Sequence, residues 1–194
     1  MRKLSELIPL LAIDLPGADT PELTQQLRLT FREFCMFTEA WTEELPAIDI
    51  VADQDEYYLP VSWDAHVGRI LWLKLDDTEQ NTVYYYLKGE NVLFMESEIV
   101  PDTASTDGLT TEVVLIPNLF AEDVDEEFLE RYGPAIVSGV KMEMMRKPKK
   151  PYTDVETARR IHAPAWETAK ALARREATLK HRKANLKVQM KPWR

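Results

Sequence analysis

Hydrophobic positions along this chain change their spacing twice, and the changes divide it into three parts. In residues 4–13, Leu4, Leu7, Ile8 and Leu11 share one side of a short helix that Pro9 keeps irregular. "LPGADTPE" then turns the chain. Thr20 suits an N-cap, Pro21 the first helical position and Glu22 the positive end of a helix. Leu23, Leu27, Phe31, Phe34, Thr38 and Trp41 recur every three or four residues, which predicts an amphipathic helix over 21–42. At Pro46 the period drops to two. "AIDIV", "EYYLP", "RILWLKL", "TVYYYLK", "NVLFM" and "EVVLIP" are short β-branched and aromatic runs. The clusters "ADQD", "DDTEQN", "KGEN" and "PDTASTDG" separate them as turns. After Asn118 the helical period returns. "EDVDEE" supplies acids for a helix start, and Phe128, Tyr132, Ile136, Val140 and Met144 carry one stripe to about Lys147, with a kink or split expected at Gly133-Pro134. "KPKKP" breaks the chain, Thr153 opens a capping box with Glu156, and a last helix runs to about Lys183 with a kink expected at Pro164.

Helices, strands, then helices predict an α+β fold: a helical bundle with an inserted antiparallel β-sandwich or barrel subdomain. The expected boundaries are 1–45 for the N-terminal helices of the bundle, 46–118 for the β subdomain, 119–183 for the C-terminal helices and 184–194 for an extended basic tail.

Composition changes this picture little. A hydrophobic fraction of 45% over 194 residues is that of an ordinary soluble globular protein. No apolar run reaches the roughly 18 residues a membrane-spanning helix needs, so no membrane partner is expected. The start "MRKLSELIPLLAIDLPG" is interrupted by Glu6, Pro9 and Asp14 and lacks a small-x-small cleavage site, so it is not read as a signal peptide. The single cysteine, Cys35, excludes an internal disulfide and fits synthesis in a reducing cytoplasm. Its place beside Phe34 on the helical stripe marks it as a buried structural thiol.

Charge changes the picture more. Residues 1–140 hold 8 Lys/Arg against 28 Asp/Glu, whereas residues 141–194 hold 16 against 5, within an overall net charge of -9. A chain so divided presents two faces to different partners, or sets an acidic surface against a basic helix of its own. The closing stretch "LKHRKANLKVQMKPWR" is the extreme case. Leu186, Val188 and Met190 alternate as a strand does, Lys187, Lys191 and Arg194 carry the charge, and Trp193 is a large aromatic anchor.

Catalytic chemistry is sparse. His66, His162 and His181 lie far apart without metal-ligand spacing, and neither GxGxxG nor GxxxxGK[ST] occurs. "DQDE" at 53–56 lacks the alternating ligands, central Gly and distal Glu of a calcium loop, so it reads as a turn. Acidic pairs such as Asp76-Asp77 and Glu43-Glu44 are too common here to mark general acid–base work. No GxSxG elbow or Cys/His signature appears. The expectation is a non-enzyme with no catalytic residues, metal or cofactor. A basic helix bearing Arg159, Arg160, Arg174, Arg175, Lys180, Arg182 and Lys183 also admits a nucleic-acid-binding module as an alternative.

Three stretches carry a family resemblance. They are "LRLTFREFCMFTEAWTEELPAIDIVADQDEYYLP", "ERYGPAIVSGVKMEMMRKPKKPYTD" and the Arg-rich terminal helix with its short basic tail. In this order and spacing the chain resembles the head-to-tail adaptor (connector) proteins of tailed bacteriophages, in particular those with a β-sheet domain inserted into the helical bundle. The resemblance covers nearly the whole chain, and its motifs are degenerate rather than catalytic. Gly133-Pro134 and Pro164 depart from the family's uninterrupted helices. The resemblance implies a structural virion protein of the neck, between capsid and tail, made in the host cytoplasm. It implies a homo-oligomeric ring, commonly of twelve subunits, that docks beneath the portal protein and extends the DNA channel. Such a ring gives a tail or nozzle protein its platform, and genomic DNA passes through without sequence-specific binding. It further implies that the C-terminal segment inserts into the portal, which makes Leu186, Lys187, Val188, Met190, Lys191, Trp193 and Arg194 the candidate docking residues. Carboxylates lining such a bore would repel phosphates and keep the duplex mobile. Another neck or tail component, a head-completion or tail-tube protein, is the alternative within the same particle.

Overall fold

A computed structural model describes residues 2–185, with side chains over 2–180. Three long helices, α2 (Thr20–Thr38), α3 (Glu126–Met145) and α5 (Ala163–Asn185), pack on one another. A short α1 (Ile8–Ala12) follows a 3-10 turn at Leu4–Leu7 and lies against α2 and α3. The three long helices meet at Gly139. A Cβ there would lie 2.7 Å from Thr30 Cγ2 of α2 and 2.8 Å from Trp166 Cε3 of α5. Beside that point, Phe34 and Trp166 pack at a tilt with centroids 5.5 Å apart, and Phe31 meets Phe128 at 5.7 Å and Trp41 at 5.7 Å.

The helices differ locally from their expected forms. The N-cap of α2 is Asp19 rather than Thr20, so Thr20 is already helical. The helix also stops at Thr38, where Glu39 turns left-handed (φ 53°), and Trp41 leaves it altogether. There Trp41 O accepts a hydrogen bond from Leu115 N at 2.8 Å. In α3 the helix runs unbroken through Pro134, and Phe128, Ile136, Val140 and Met144 bury the expected stripe. Its cap is Asp125, whose side chain accepts from Phe128 N at 3.0 Å. The one-turn α4 (Val155–Thr157) is capped by Asp154 rather than by Thr153. The irregularity expected at Pro164 appears one turn earlier, as a π-helical turn over Ala158–His162 that leads into α5. A wider turn there accommodates the proline, which cannot donate to an i-4 carbonyl.

All six strand runs become strands: β3 (Ile48–Ile50), β4 (Glu56–Tyr58), β5 (Ala65–Leu75), β7 (Tyr85–Leu87), β8 (Val92–Met95) and β9 (Ser105–Pro117). Four short strands had no legible alternation: β1 (Arg2–Lys3), β2 (Thr42–Glu44), β6 (Thr78–Glu79) and β10 (Asp123–Val124). β9 is the hub. It pairs antiparallel with β5 on one side and with β2 and β3 on the other. β6 returns on β5 through Asp76-Asp77, both left-handed (φ 46° and 63°), as a two-residue turn of type I′ requires. β4, β8 and β7 form a second sheet, and β1 pairs with β10.

These strands overturn the expected architecture of a helical bundle carrying an inserted β-sandwich or barrel subdomain. The protein is a mixed α and β structure dominated by the five-stranded half-barrel around β9. One hydrophobic core runs from Leu11, Phe31 and Trp166 through Trp41 and Val113 to Leu73 and Met95. The sheet is also bound directly to the helices. Arg32 Nη1 of α2 donates to Pro117 O at the end of β9 (2.9 Å), and α2 packs along β9. The change of period at Pro46 marks a change of element type. It carries no information on which elements share a core.

Candidate interaction surfaces

Near its end, α5 reaches the sheet through the Lys180 side chain. Lys180 Nζ is 3.1 Å from Glu112 Oε1 of β9 and donates to Thr42 Oγ1 of β2 at 2.9 Å. Trp72 Nε1 of β5 donates to the other oxygen of Glu112 at 2.8 Å. Burial pushes the Glu112 carboxyl up, but the bonds from Lys180 and Trp72 outweigh it and hold the group below the usual carboxylate range.

Between this end of α5, the start of α3 and the chain entering β2 runs a groove of about 780 Å³. Its walls include Trp41, Phe128 and Ala177, all buried, with Tyr132 half-buried and Leu179 exposed at the lip. Glu43, Asp125, Glu127 and Glu176 set carboxylates around it. Glu176 Oε2 is held by Arg131 Nη2 at 2.6 Å, and Asp125 caps α3. Glu43 and Glu127 make no ion pair among the described residues. Burial pushes the Tyr132 phenol above its ordinary value, and neighbouring Glu176 pushes it the same way.

A second surface is a hydrophobic knob. Trp63 is 75% exposed and Phe120 72%, and Leu119 beside it is also exposed. The loops that carry them are fixed to each other: Asn118 Nδ2 donates to Trp63 O (2.7 Å) and Asn118 N to Asp64 O (2.7 Å). Asp64 is buried, its Oδ2 accepts from Asp123 N (3.3 Å), and His66 Nδ1 lies 2.9 Å from Asn118 Oδ1. Large apolar side chains on loops pinned this way are characteristic of contact surfaces. Sequence reasoning missed both. The only signal was a large aromatic inside each proline-led connection, "PVSWD" and "PNLFA".

The expected docking residues Leu186, Lys187, Val188, Met190, Lys191, Trp193 and Arg194 lie outside the described residues. Several cations of the basic helix leading to them are engaged within the chain. Lys170 pairs with Glu33 (3.2 Å) and Glu167 (3.1 Å), Arg174 with Glu39 (2.8 Å), Arg160 with Glu156 (3.6 Å) and Lys180 with Glu112. Lys170, Arg174 and Lys180 thus pair with acids from the acidic part of the same chain, Glu33, Glu39 and Glu112.

Of the expected chemical features, "DQDE" is a turn in which Asp53 is left-handed (φ 59°) and its N–H donates to Pro101 O at 2.9 Å. His162 is pushed below its ordinary value by burial, and nearby Lys141 acts the same way. Among the described residues no three His, Cys, Asp or Glu side chains converge as metal ligands would. Nor, among them, is any helix long and apolar enough to cross a membrane. Compared with protein-family models and with curated proteins, the sequence matches none.

Proposed function

We propose that this chain is a structural virion protein, a head-to-tail adaptor that forms a ring beneath a portal and gives the tail or nozzle its platform. The observation that carries the reading is the pinned knob of Trp63, Leu119 and Phe120, which offers large apolar side chains to a partner instead of to the chain's own core. Three further features support it. The three stretches of adaptor-like sequence span the helices and the sheet alike. The body of the protein is acidic and suits a channel that passes DNA without gripping it. The C-terminal residues alternate apolar and basic and end in an aromatic anchor, a pattern that can add to a sheet edge or fill a crevice of the portal. Ion pairing of Lys170, Arg174 and Lys180 with the chain's own acids favours this reading over a nucleic-acid-binding module.

The test is a particle assembled without this chain. Capsids should fill with DNA but leak it and carry no tails, and antibody labelling of complete particles should mark the neck. Tailed, infectious particles that lack the protein would contradict the proposal, as would salt-sensitive, high-affinity binding of the isolated chain to random duplex DNA.

A further inference from the structure

We propose that the acidic groove between α3 and α5 of one chain receives the basic corner joining α3 to α5 of a second copy, a head-to-tail contact between subunits. The closing of such contacts into a ring on a portal rests on the adaptor reading above; the contact between two copies does not.

Position comes first. The groove opens beside the start of α3 and toward the end of α5, where Glu127, Phe128 and Lys180 line it. The corner lies at the other ends of the same two helices. Residues 146–150 follow Met145 of α3, and Val155 and Arg159 precede α5. At 1.5 Å per residue either helix separates the two places by about 30 Å, so they do not meet within one chain. The corner is fixed by three bonds to Glu22 at the start of α2, from Lys147 (3.2 Å), Lys150 (3.4 Å) and Tyr152 (3.0 Å).

Charge comes next. At the corner Arg146 pairs with Glu143, Arg160 with Glu156, and Asp154 caps α4. Lys149 and Arg159 remain exposed and make no ion pair among the described residues. At the groove Arg131 pairs with Glu176, Lys180 with Glu112, and Asp125 caps α3. Glu43 and Glu127 remain, also exposed and without an ion pair among the described residues. Unpaired cations at one end of the helices thus answer unpaired carboxylates at the other. Val155 at the corner and Leu179 at the lip of the groove are exposed too, and they set an apolar contact beside the charges. Because the two surfaces differ, the contact is heterologous: each copy added leaves one groove and one corner open, and the series closes as a ring or grows as a filament. Exposed ion pairs orient partners more than they hold them, so the contact is weak without a template.

The experiment is sedimentation of the full chain at about 0.5 mM, where contacts with a Kd near 1 mM begin to populate. The average mass of the wild type should rise with concentration without stopping at a dimer, and salt near 1 M, with a Debye length of about 3 Å, should suppress the rise. Reversing the groove pair (Glu43→Lys with Glu127→Lys) should abolish it, as should reversing the corner pair (Lys149→Glu with Arg159→Glu), each with native circular dichroism. Mixing the two variants should restore association, because the reversed groove then meets the reversed corner and the two native surfaces meet each other. The chain with all four substitutions keeps the net charge of -9 and should associate as well. A wild type that stays monomeric, a rise that either reversal leaves unchanged, or no recovery in the mixture and the fourfold variant would overturn the proposal. A mass that stops at a dimer would overturn it too, since the contact would then be reciprocal. A chain that passes the mixing test but binds no portal would sink the adaptor reading and leave this contact standing. One that docks on portal but fails the mixing test would do the reverse.

Discussion

Lys180 Nζ lies 3.1 Å from Glu112 Oε1, and this pair ties the end of the last helix to the central strand of the sheet. The same carboxylate accepts from Trp72 on the neighbouring strand, so one acid joins β9, β5 and α5. Glu112→Ala strands the half-buried Trp72 N–H, and Lys180 is 64% exposed, so solvent screens much of the ion pair. The expected loss is about 1 kcal/mol, read as a drop of a few degrees in melting temperature. Lys180→Ala, which leaves the Trp72 bond intact, should cost less.

Acid should weaken the fold by the same route. Glu112 and Asp14 sit below the usual carboxylate range: Glu112 against the cost of burial, through its bonds from Lys180 and Trp72, and Asp14 first through its bond from Lys141. A carboxyl lowered in the folded state contributes stability that is complete above its unfolded value, near 4. That stability is lost as pH falls through the lower folded value. Melting temperature should therefore fall slightly as pH drops below about 6.5, because burial holds the His162 imidazole below its ordinary value, and more steeply below about pH 4, where the wild type should lose more than Glu112→Gln.

Gly139 is where three helices touch, and it predicts a sharp intolerance. Alanine there is normally worth about 1 kcal/mol of helix propensity. Here its Cβ would stand 2.7 Å from Thr30 and 2.8 Å from Trp166, which must move apart. Overpacking of about 1–3 kcal/mol outweighs the gain. Gly139→Ala should unfold at lower urea than wild type, and an increased midpoint would contradict the packing described.

The Asp76-Asp77 turn predicts the opposite sign. Both residues are left-handed, and Asp76 accepts from Ser105 Oγ at 2.5 Å, while Asp77 forms no hydrogen bond or ion pair among the described residues. Asp77→Gly removes up to about 1 kcal/mol of left-handed strain and adds about 0.5 kcal/mol of unfolded-state entropy. The melting temperature should rise slightly, and a fall would mean that the Asp77 side chain has a role in the turn.

How far the sequence could be read depends on the kind of signal. Element types were legible because alternation and helical spacing are local, as in "RILWLKL" and the stripe from Phe128 to Met144. Short strands such as Thr42–Glu44 were not, since three polar or acidic residues carry no alternation and form a strand through their pairing with β9. Trp41 illustrates the limit of periodicity. It continues the spacing of Phe31 and Phe34 but reaches their core from outside the helix, across a left-handed Glu39. The groove residues come from 40–43, 125–132 and 176–180, a juxtaposition made by the sheet, and no linear pattern announces it. The knob was missed because loop aromatics have no period to break.

The knob supplies an assembly prediction. Trp63→Ala with Phe120→Ala removes side chains that are three-quarters exposed, so the isolated chain should melt within about 0.5 kcal/mol of wild type. The unaltered protein should be mostly monomeric at micromolar concentration and form rings when portal is added, since ordering and docking both cost entropy. The double variant should stay monomeric with portal present. Sedimentation that shows rings from the variant, or stable rings of wild type without portal, would contradict this.

The central claim is that the C-terminal segment docks the protein on a portal, and a binding titration against chains lacking residues 184–194 tests it most directly. Loss of a buried aromatic anchor alone costs about 2 kcal/mol, roughly thirtyfold in affinity, so Trp193→Ala should weaken docking and the truncation should abolish it. The truncated chain should keep most of its far-ultraviolet circular dichroism and its melting temperature, because Leu186, Val188 and Met190 alternate and do not continue the helical spacing of α5. Unchanged affinity of the truncated chain for portal would place the docking surface elsewhere and contradict the account.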